Sequence, residues 1–196
     1  FYPDTALKLD DELVRYRWAS TFFTVGRAMR EEVDFDYAGE QMILDGALDR
    51  YKVLLFLWGA VTEKPVLERM DQWVRNGGTL VFAPNPRGNP STVEGDTSIA
   101  QKWLAGDTGK GRVVLWHGDL IPSRSYAEFV RELLLKTPSL QPQTRAALQM
   151  EKPATVFWSV LENGKVALLN FSSRPATVRL ADGKTIKIAP YEMAMH

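Results

Sequence analysis

At 196 residues the chain exceeds a typical single domain and suits one medium domain plus a small one. With 45% hydrophobic and 24% charged residues it has an ordinary globular composition and ample material for a packed core. Lys plus Arg equal Asp plus Glu at 24 each, so no net field draws it to nucleic acid or an acidic membrane, and the lack of cysteine excludes disulfides, thiolate metal sites and cysteine nucleophiles.

No apolar run approaches the roughly 20 residues that cross a bilayer as a helix, so no membrane partner is expected. The opening Phe1-Tyr2-Pro3 lacks an initiator methionine and reads as the last residues of a strand, which predicts a fragment of a longer polypeptide. Residues 3–9 read as a loop leaving that strand. Asp10 or Asp11 caps a long helix to about Glu32, on which Leu13, Val14, Trp18, Phe22, Val25 and Met29 recur at helical spacing. Residues 33–37 alternate Val, Asp, Phe, Asp, Tyr, the period of a half-exposed edge strand. Residues 42–48 form a connector with a turn at Asp45-Gly46.

The stretch 38–90 organises the rest. Residues 52–58 and 79–83 are unbroken apolar runs of strand length, the pattern of strands covered on both faces. Between them Val66, Leu67, Met70, Trp73 and Val74 mark the buried face of a helix. Thr62 is its expected N-cap, Pro65 falls in its first turn, and Gly77-Gly78 provides a left-handed stop. Residues 84–96, dense in Pro, Gly, Asn and Ser, form a long loop of the kind that carries function. A short helix to Leu104, a strand over 112–116 and a helix from Ser123 with Tyr126, Phe129, Val130, Leu133 and Leu134 inward complete an alternation typical of a doubly wound sheet.

Composition changes over 137–152, with a short helix expected at 144–150. Beyond it Asn163-Gly164 and Asp182-Gly183 each sit between strand-like runs, the strongest short hairpin signal, and the tail reads as a small antiparallel module of about five strands. The domains expected are 1–140, an α/β domain with a truncated first strand, a linker at 141–152, and an antiparallel β domain at 153–196.

In an open parallel sheet, ligands bind outside the C-terminal strand ends. Trp58, Asn85, Arg87 and His117 are therefore the candidate small-ligand residues, with Asp4 and Lys8 nearby. The competing reading for each is a surface loop or strand-end residue, and for Trp58 and Trp116 a core position. His117 lacks the partners that a general base or a zinc site needs. The Gly-x-Ser-x-Gly, dinucleotide and phosphate-loop patterns are absent, so no catalytic residue, metal or cofactor is assigned. Asp34 and Asp36 fall on one expected strand face at a separation a glycosidase could use, but a solvated face accounts for them as well. An independent hydrolase built on Asp4, His117 or Glu94 is the weakest of the functional readings.

Over residues 1–136 the chain resembles the class I glutamine amidotransferase-like domain, in the version found in the middle of family 42 β-galactosidases and called their trimerisation domain. The positions carrying the likeness are Tyr51 and Lys52, then Met70, Trp73 and Val74, then Gly77, Gly78, Thr79, Leu80 and Val81. The runs from Val166 to Phe171 and from Ile188 to Met193 look like the closing strands of the small β domain that ends those enzymes. The resemblance implies a flavodoxin-like parallel sheet with helices on both faces, followed by a small antiparallel β domain. It further implies a non-catalytic oligomerisation or scaffolding region of a glycoside hydrolase. The partners would be an N-terminal catalytic barrel of the same polypeptide and further copies of the chain. Amidotransferase chemistry does not carry over, because Pro84, Asn85, Pro86 and Arg87 occupy the turn where that family places its nucleophile. The alternative is a carbohydrate or small-ligand binding module at the strand ends.

Overall fold

The computed structural model describes residues 1–9, 12–57, 61–82, 90–121 and 123–196, with side chains for all of these but 12–20. Asp10, Asp11, Trp58, Asn85 and Arg87, and the side chains of Leu13, Val14 and Trp18, lie outside the described residues. The chain divides into two compact units, Phe1–Arg17 with Asp36–Gly118 and Trp18–Phe35 with Asp119–His196. The boundary falls within the long helix α2 (Glu12–Glu32), which follows the short α1 (Asp4–Leu9).

The first unit is built on three parallel strands in sequence order, β1 (Val53–Phe56), β2 (Thr79–Phe82) and β3 (Arg112–Leu115), with Val53 opposite Thr79 and Thr79 opposite Arg112. All four residues of β2 are buried, which is why its sequence is apolar without alternation. Between β1 and β2 runs α4 (Lys64–Arg75), and its Val66, Leu67, Met70, Trp73 and Val74 are the buried residues its spacing predicts. They join Leu54, Phe56, Leu80 and Phe82 in one core cluster. Burial of each such side chain is worth about 1.5–3 kcal/mol, so this face alone outweighs the modest intrinsic propensity of a 12-residue helix.

The C-terminus of α4 closes as a Schellman motif: the Gly77 N–H donates to the Val74 carbonyl at 2.9 Å and the Gly78 N–H to the Trp73 carbonyl at 3.1 Å. Gly77 has φ +118°, and a Cβ on Gly78 would lie 2.5 Å from the Trp73 ring, so each glycine answers a separate constraint. At the other end Pro65 sits in the first turn as expected, but the N-cap is Glu63 and not Thr62. Thr62 is fully buried, and its N–H is spent on the Ser91 carbonyl at 3.0 Å, pairing the segments that follow β1 and β2.

Helix α5 (Ser98–Leu104) follows β2 and buries Trp103, whose indole N–H donates to Asp71 at 2.9 Å. Asp71 also accepts from Arg75 at 2.8 Å, and Arg75 reaches Asp107 beyond α5, so one network ties the two helices. Those two carboxylates hold the Arg75 guanidinium above its ordinary pKa.

The edge expected at 33–37 is not a strand. Extended pairing occurs instead at Gly39, which forms a parallel bridge with Tyr2, and the Phe1 amino group donates to the Leu55 carbonyl at 2.9 Å. Residues 3–9, expected as a loop, hold α1. Six residues are too few for a helix to stand on propensity, and α1 is held by long-range capping from α3 (Glu40–Leu44). A 3₁₀ turn at Ala47–Arg50 follows, entered through Gly46 at φ +88°.

The second unit contains the latter part of α2, where Phe22, Val25 and Met29 are buried as their spacing predicts. Helix α6 (Arg124–Leu135) buries Tyr126, Ala127, Val130 and Leu133, and α7 (Pro142–Leu148) begins two residues before its expected start, with Pro142 in its first turn. The tail has five strands. β4 (Val156–Val160), β5 (Val166–Asn170) and β8 (Met193–Met195) form an antiparallel sheet in that order, and β6 (Ala176–Arg179) pairs with β7 (Thr185–Ile188). Both hairpin turns fall where expected, with Gly164 at φ +78° and Gly183 at φ +85°. Asn170, with no exposed surface, donates to the carbonyls of Arg174 at 2.8 Å and Ala189 at 3.0 Å and accepts from the Ser172 N–H, locking the end of β5 to the turn before β8.

Candidate functional site

Of the four residues expected at the strand ends, the described structure places only His117. It is exposed two residues beyond β3 and next to Gly118, on which a Cβ would meet the Trp116 ring at 2.5 Å. Trp58, Asn85 and Arg87 lie outside the described residues, so no convergence of the four is on view. Trp116 is half-buried, and its backbone N–H continues the sheet by donating to the Phe82 carbonyl at 2.9 Å.

Asp4 is engaged structurally. Its carboxylate accepts the Glu40 N–H at 3.0 Å and so caps α3. The Glu40 carboxylate, itself buried, reciprocates by accepting from the Thr5 N–H at 2.9 Å and the Thr5 hydroxyl at 2.6 Å, which caps α1. Each carboxylate faces the positive end of the other's helix, where a negative charge is favoured. Glu94 is exposed, and a hydrogen bond from Thr92 lowers its pKa. The strand face on which Asp34 and Asp36 were expected is absent, since 33–37 is not a strand. Asp34 is bound by Arg30, and Asp36 accepts from the Tyr51 hydroxyl at 2.5 Å. Among the described residues no group of three or more His, Asp or Glu could hold a metal ion.

A concavity of mixed chemistry in the second unit was invisible in the sequence. A cavity of about 180 Å³ is lined by Glu31 and Glu32 at the end of α2, Arg124 and Arg131 of α6, and Lys152 and Trp158. Lys152 donates to the Glu31 carbonyl at 2.6 Å, and burial lowers the pKa of its ammonium against the opposing pull of Glu32 and Glu31. Arg131 donates to the Leu148 carbonyl at 2.9 Å and lies 3.8 Å from Glu32. The cations therefore bind helix ends and carboxylates of their own unit. The arrangement is a latch on the C-terminus of α2, where cations are favoured. Lys152 and Glu31 are 121 residues apart, and no local pattern joins them.

No family model matches the chain, and no curated protein matches it. Solved structures do. The GH42 β-galactosidase Gan42B from G. stearothermophilus superposes with a TM-score of 0.60 at 15% identity, over 91% of this chain and 36% of that one. A β-galactosidase from Bacillus circulans sp. alkalophilus gives 0.61 at 12% identity, over 90% of this chain and 37% of its own. A GH42 exo-carrageenase from Bacteroides ovatus gives 0.59 at 13% identity, over 89% and 26%. The chain thus spans little more than a third of these enzymes or less, and at such identities the likeness is one of fold: an α/β unit with a three-stranded parallel sheet and small antiparallel sheets, arranged as in part of a GH42 chain.

Proposed function

We propose that this chain is a non-catalytic scaffolding and oligomerisation region of a glycoside hydrolase, working beside a catalytic barrel of the same polypeptide. The observation that carries the reading is the match over nine-tenths of this chain to about a third of a GH42 β-galactosidase. Its support within the chain is that four carboxylates, three of them candidates for chemistry, are engaged by neighbours: Asp4 and Glu40 on helix caps, Asp34 on Arg30 and Asp36 on Tyr51.

The amidotransferase-like, flavodoxin-like order belongs to the same proposal. With the Phe1 amino group on Leu55 and Tyr2 bridged to Gly39, the first segment lies between residue 39 and β1, which supports the order 2-1-3-4-5. Pro84 to Arg87 would then occupy the nucleophile turn of that fold, leaving a scaffold without its chemistry.

The test is threefold. The purified chain is assayed on aryl galactosides and glucosides, titrated calorimetrically with the parent sugars, and weighed by light scattering. The expected result is no turnover, no saturable heat and a mass above the 22.1 kDa of one chain. Turnover would sink the non-catalytic reading. Saturable heat lost on substitution of Asn85, Arg87 or His117 would replace it with a strand-end binding module.

A further inference from the structure

Asn-Gly occurs twice in the chain, at Asn76-Gly77 and Asn163-Gly164, and both asparagines are exposed. In this dipeptide no side chain on the glycine blocks the approach of its nitrogen to the asparagine carboxamide carbon, Cγ. Closure of a succinimide ring between those two atoms is the chemistry open to both sites. They differ in what surrounds the reacting atoms.

Asn163 sits at the tip of the β4-β5 hairpin, where the Lys165 N–H donates to its Oδ1 at 3.0 Å. This Asx turn places Cγ and the Gly164 nitrogen within one small hydrogen-bonded ring. It also aims a donor at the oxygen on which negative charge develops when a nucleophile adds to Cγ, the arrangement of an oxyanion hole. The Nδ2 group, which must leave, is not held by that bond. Attack is opposed by the Gly164 N–H, which donates to the Leu161 carbonyl at 2.9 Å, while the Leu161 N–H closes the turn on Lys165 at 2.8 Å. A hairpin tip opens at little cost.

Asn76 closes α4 instead. Its N–H donates to the Gln72 carbonyl at 3.0 Å, those of Gly77 and Gly78 form the Schellman pair, and the Arg75 carbonyl before it accepts from Lys110. Trp73 and Val74 belong to the core, so freeing the Gly77 nitrogen means unwinding a buried turn. Among the described residues no N–H donates to the Asn76 carboxamide.

We propose that Asn163 is a self-modification site, at which the Gly164 backbone nitrogen displaces ammonia from the Asn163 carboxamide while the Lys165 N–H stabilises the oxyanion. The bond formed joins Gly164 N to Asn163 Cγ, and the bond broken is Cγ–Nδ2. The Gly164 amide proton passes to solvent base, and a proton from water completes the departing ammonia. Water then opens the succinimide at either carbonyl, giving aspartate or isoaspartate, and no oxidant or reductant is consumed. The aspartate route adds a negative charge beside Glu162. The isoaspartate route adds a methylene to the backbone of the turn that fixes the β4-β5 register.

The experiment incubates the native chain at mildly alkaline pH and follows both dipeptides in one sample by peptide mapping, which reads the mass change from amide to acid, with enzymatic methylation counting isoaspartate. The expected result is conversion at Asn163 at least about tenfold faster than at Asn76 in the folded chain, a ratio that collapses towards unity in guanidinium chloride, where neither turn survives. Comparable rates in the folded chain, or faster loss at Asn76, overturn the assignment. A ratio that persists in denaturant traces the difference to sequence and overturns the part given to the turn. Lys165→Pro removes the N–H on Oδ1, and with circular dichroism confirming the fold it should slow Asn163 severalfold and leave Asn76 unchanged. An unaltered rate at Asn163 in that folded variant refutes the oxyanion role.

Discussion

Adding one methyl group at Gly111 should be among the most damaging single changes in the first unit. A Cβ there would lie 2.0 Å from the Val74 carbonyl oxygen and 2.4 Å from that of Gly78. Ordinary contact needs at least about 1 Å more, and both obstacles are backbone that cannot rotate away. That backbone is pinned: the Arg112 N–H donates to Gly78 at 3.1 Å and the Lys110 N–H to Arg75 at 3.0 Å. Moving it costs about 1 kcal/mol for each hydrogen bond broken, plus roughly 1–3 kcal/mol of overpacking, so Gly111→Ala should lose about 3–5 kcal/mol. The control is Gly106→Ala. Gly106, unlike Gly111, has left-handed backbone, at φ +78°, but nothing lies within 4 Å of its added Cβ, so only about 1–2 kcal/mol is at stake. Urea unfolding followed by tryptophan fluorescence measures both, with the midpoint reporting stability if the slope is unchanged. If Gly111→Ala costs no more than Gly106→Ala, the close approach of these backbones does not limit the unit's stability.

Further outcomes follow from single residues. Asn170→Ala removes from a fully buried position one acceptor and the donors to the Arg174 and Ala189 carbonyls, and should cost about 2–4 kcal/mol by thermal or urea unfolding; an effect below about 0.5 kcal/mol would contradict the lock between β5 and β8. Asp107 and Asp96 have pKa values held below the ordinary 3.8, the first by Arg75 and the second by the Ser98 N–H and hydroxyl. Their contribution is therefore present above that value and lost as pH falls through the depressed folded values, and Asp107→Asn should flatten part of the acid limb of a stability–pH curve. Lys152 has the opposite sense on the alkaline side. Its folded pKa lies below 10.5 while the unfolded lysine keeps that value, so the unfolded chain binds the extra proton and stability rises with pH through that window. Lys152→Met should abolish that rise, and a curve unchanged by the substitution would show that the ammonium is not desolvated.

The legible part of this fold was the part governed by local rules. Five buried positions on α4, the Gly77-Gly78 stop and both glycine hairpins are set by periodicity or by a backbone that only glycine tolerates, and a single sequence displays these directly. The misreadings share a different cause. Thr62 looked like a cap, but its N–H pairs with Ser91, 29 residues later; 3–9 looked like a loop, yet a carboxylate 35 residues away completes its helix. Residues 33–37 had the right alternation for a strand but form none. Helix α7 was placed two residues late because Pro142 opens it, a role that proline fills only when the following turn is helical. For the candidate site the sequence pointed to strand ends through topology alone, whereas the Lys152 cavity assembles from α2, α6, α7 and β4 by tertiary contact.

The crossed caps of α1 and α3 also bear on the order in which the first unit assembles. Helices of six and five residues lie far below the length at which nucleation is repaid, so neither persists alone. Each is completed by a carboxylate on the other, with Thr5 and Glu40 separated by 35 residues. That loop must close before either forms, and the cost of closure falls on both together. The N-terminal segment should therefore order only once that loop has closed, and its amide protons should open and exchange as one cooperative group with those of α3.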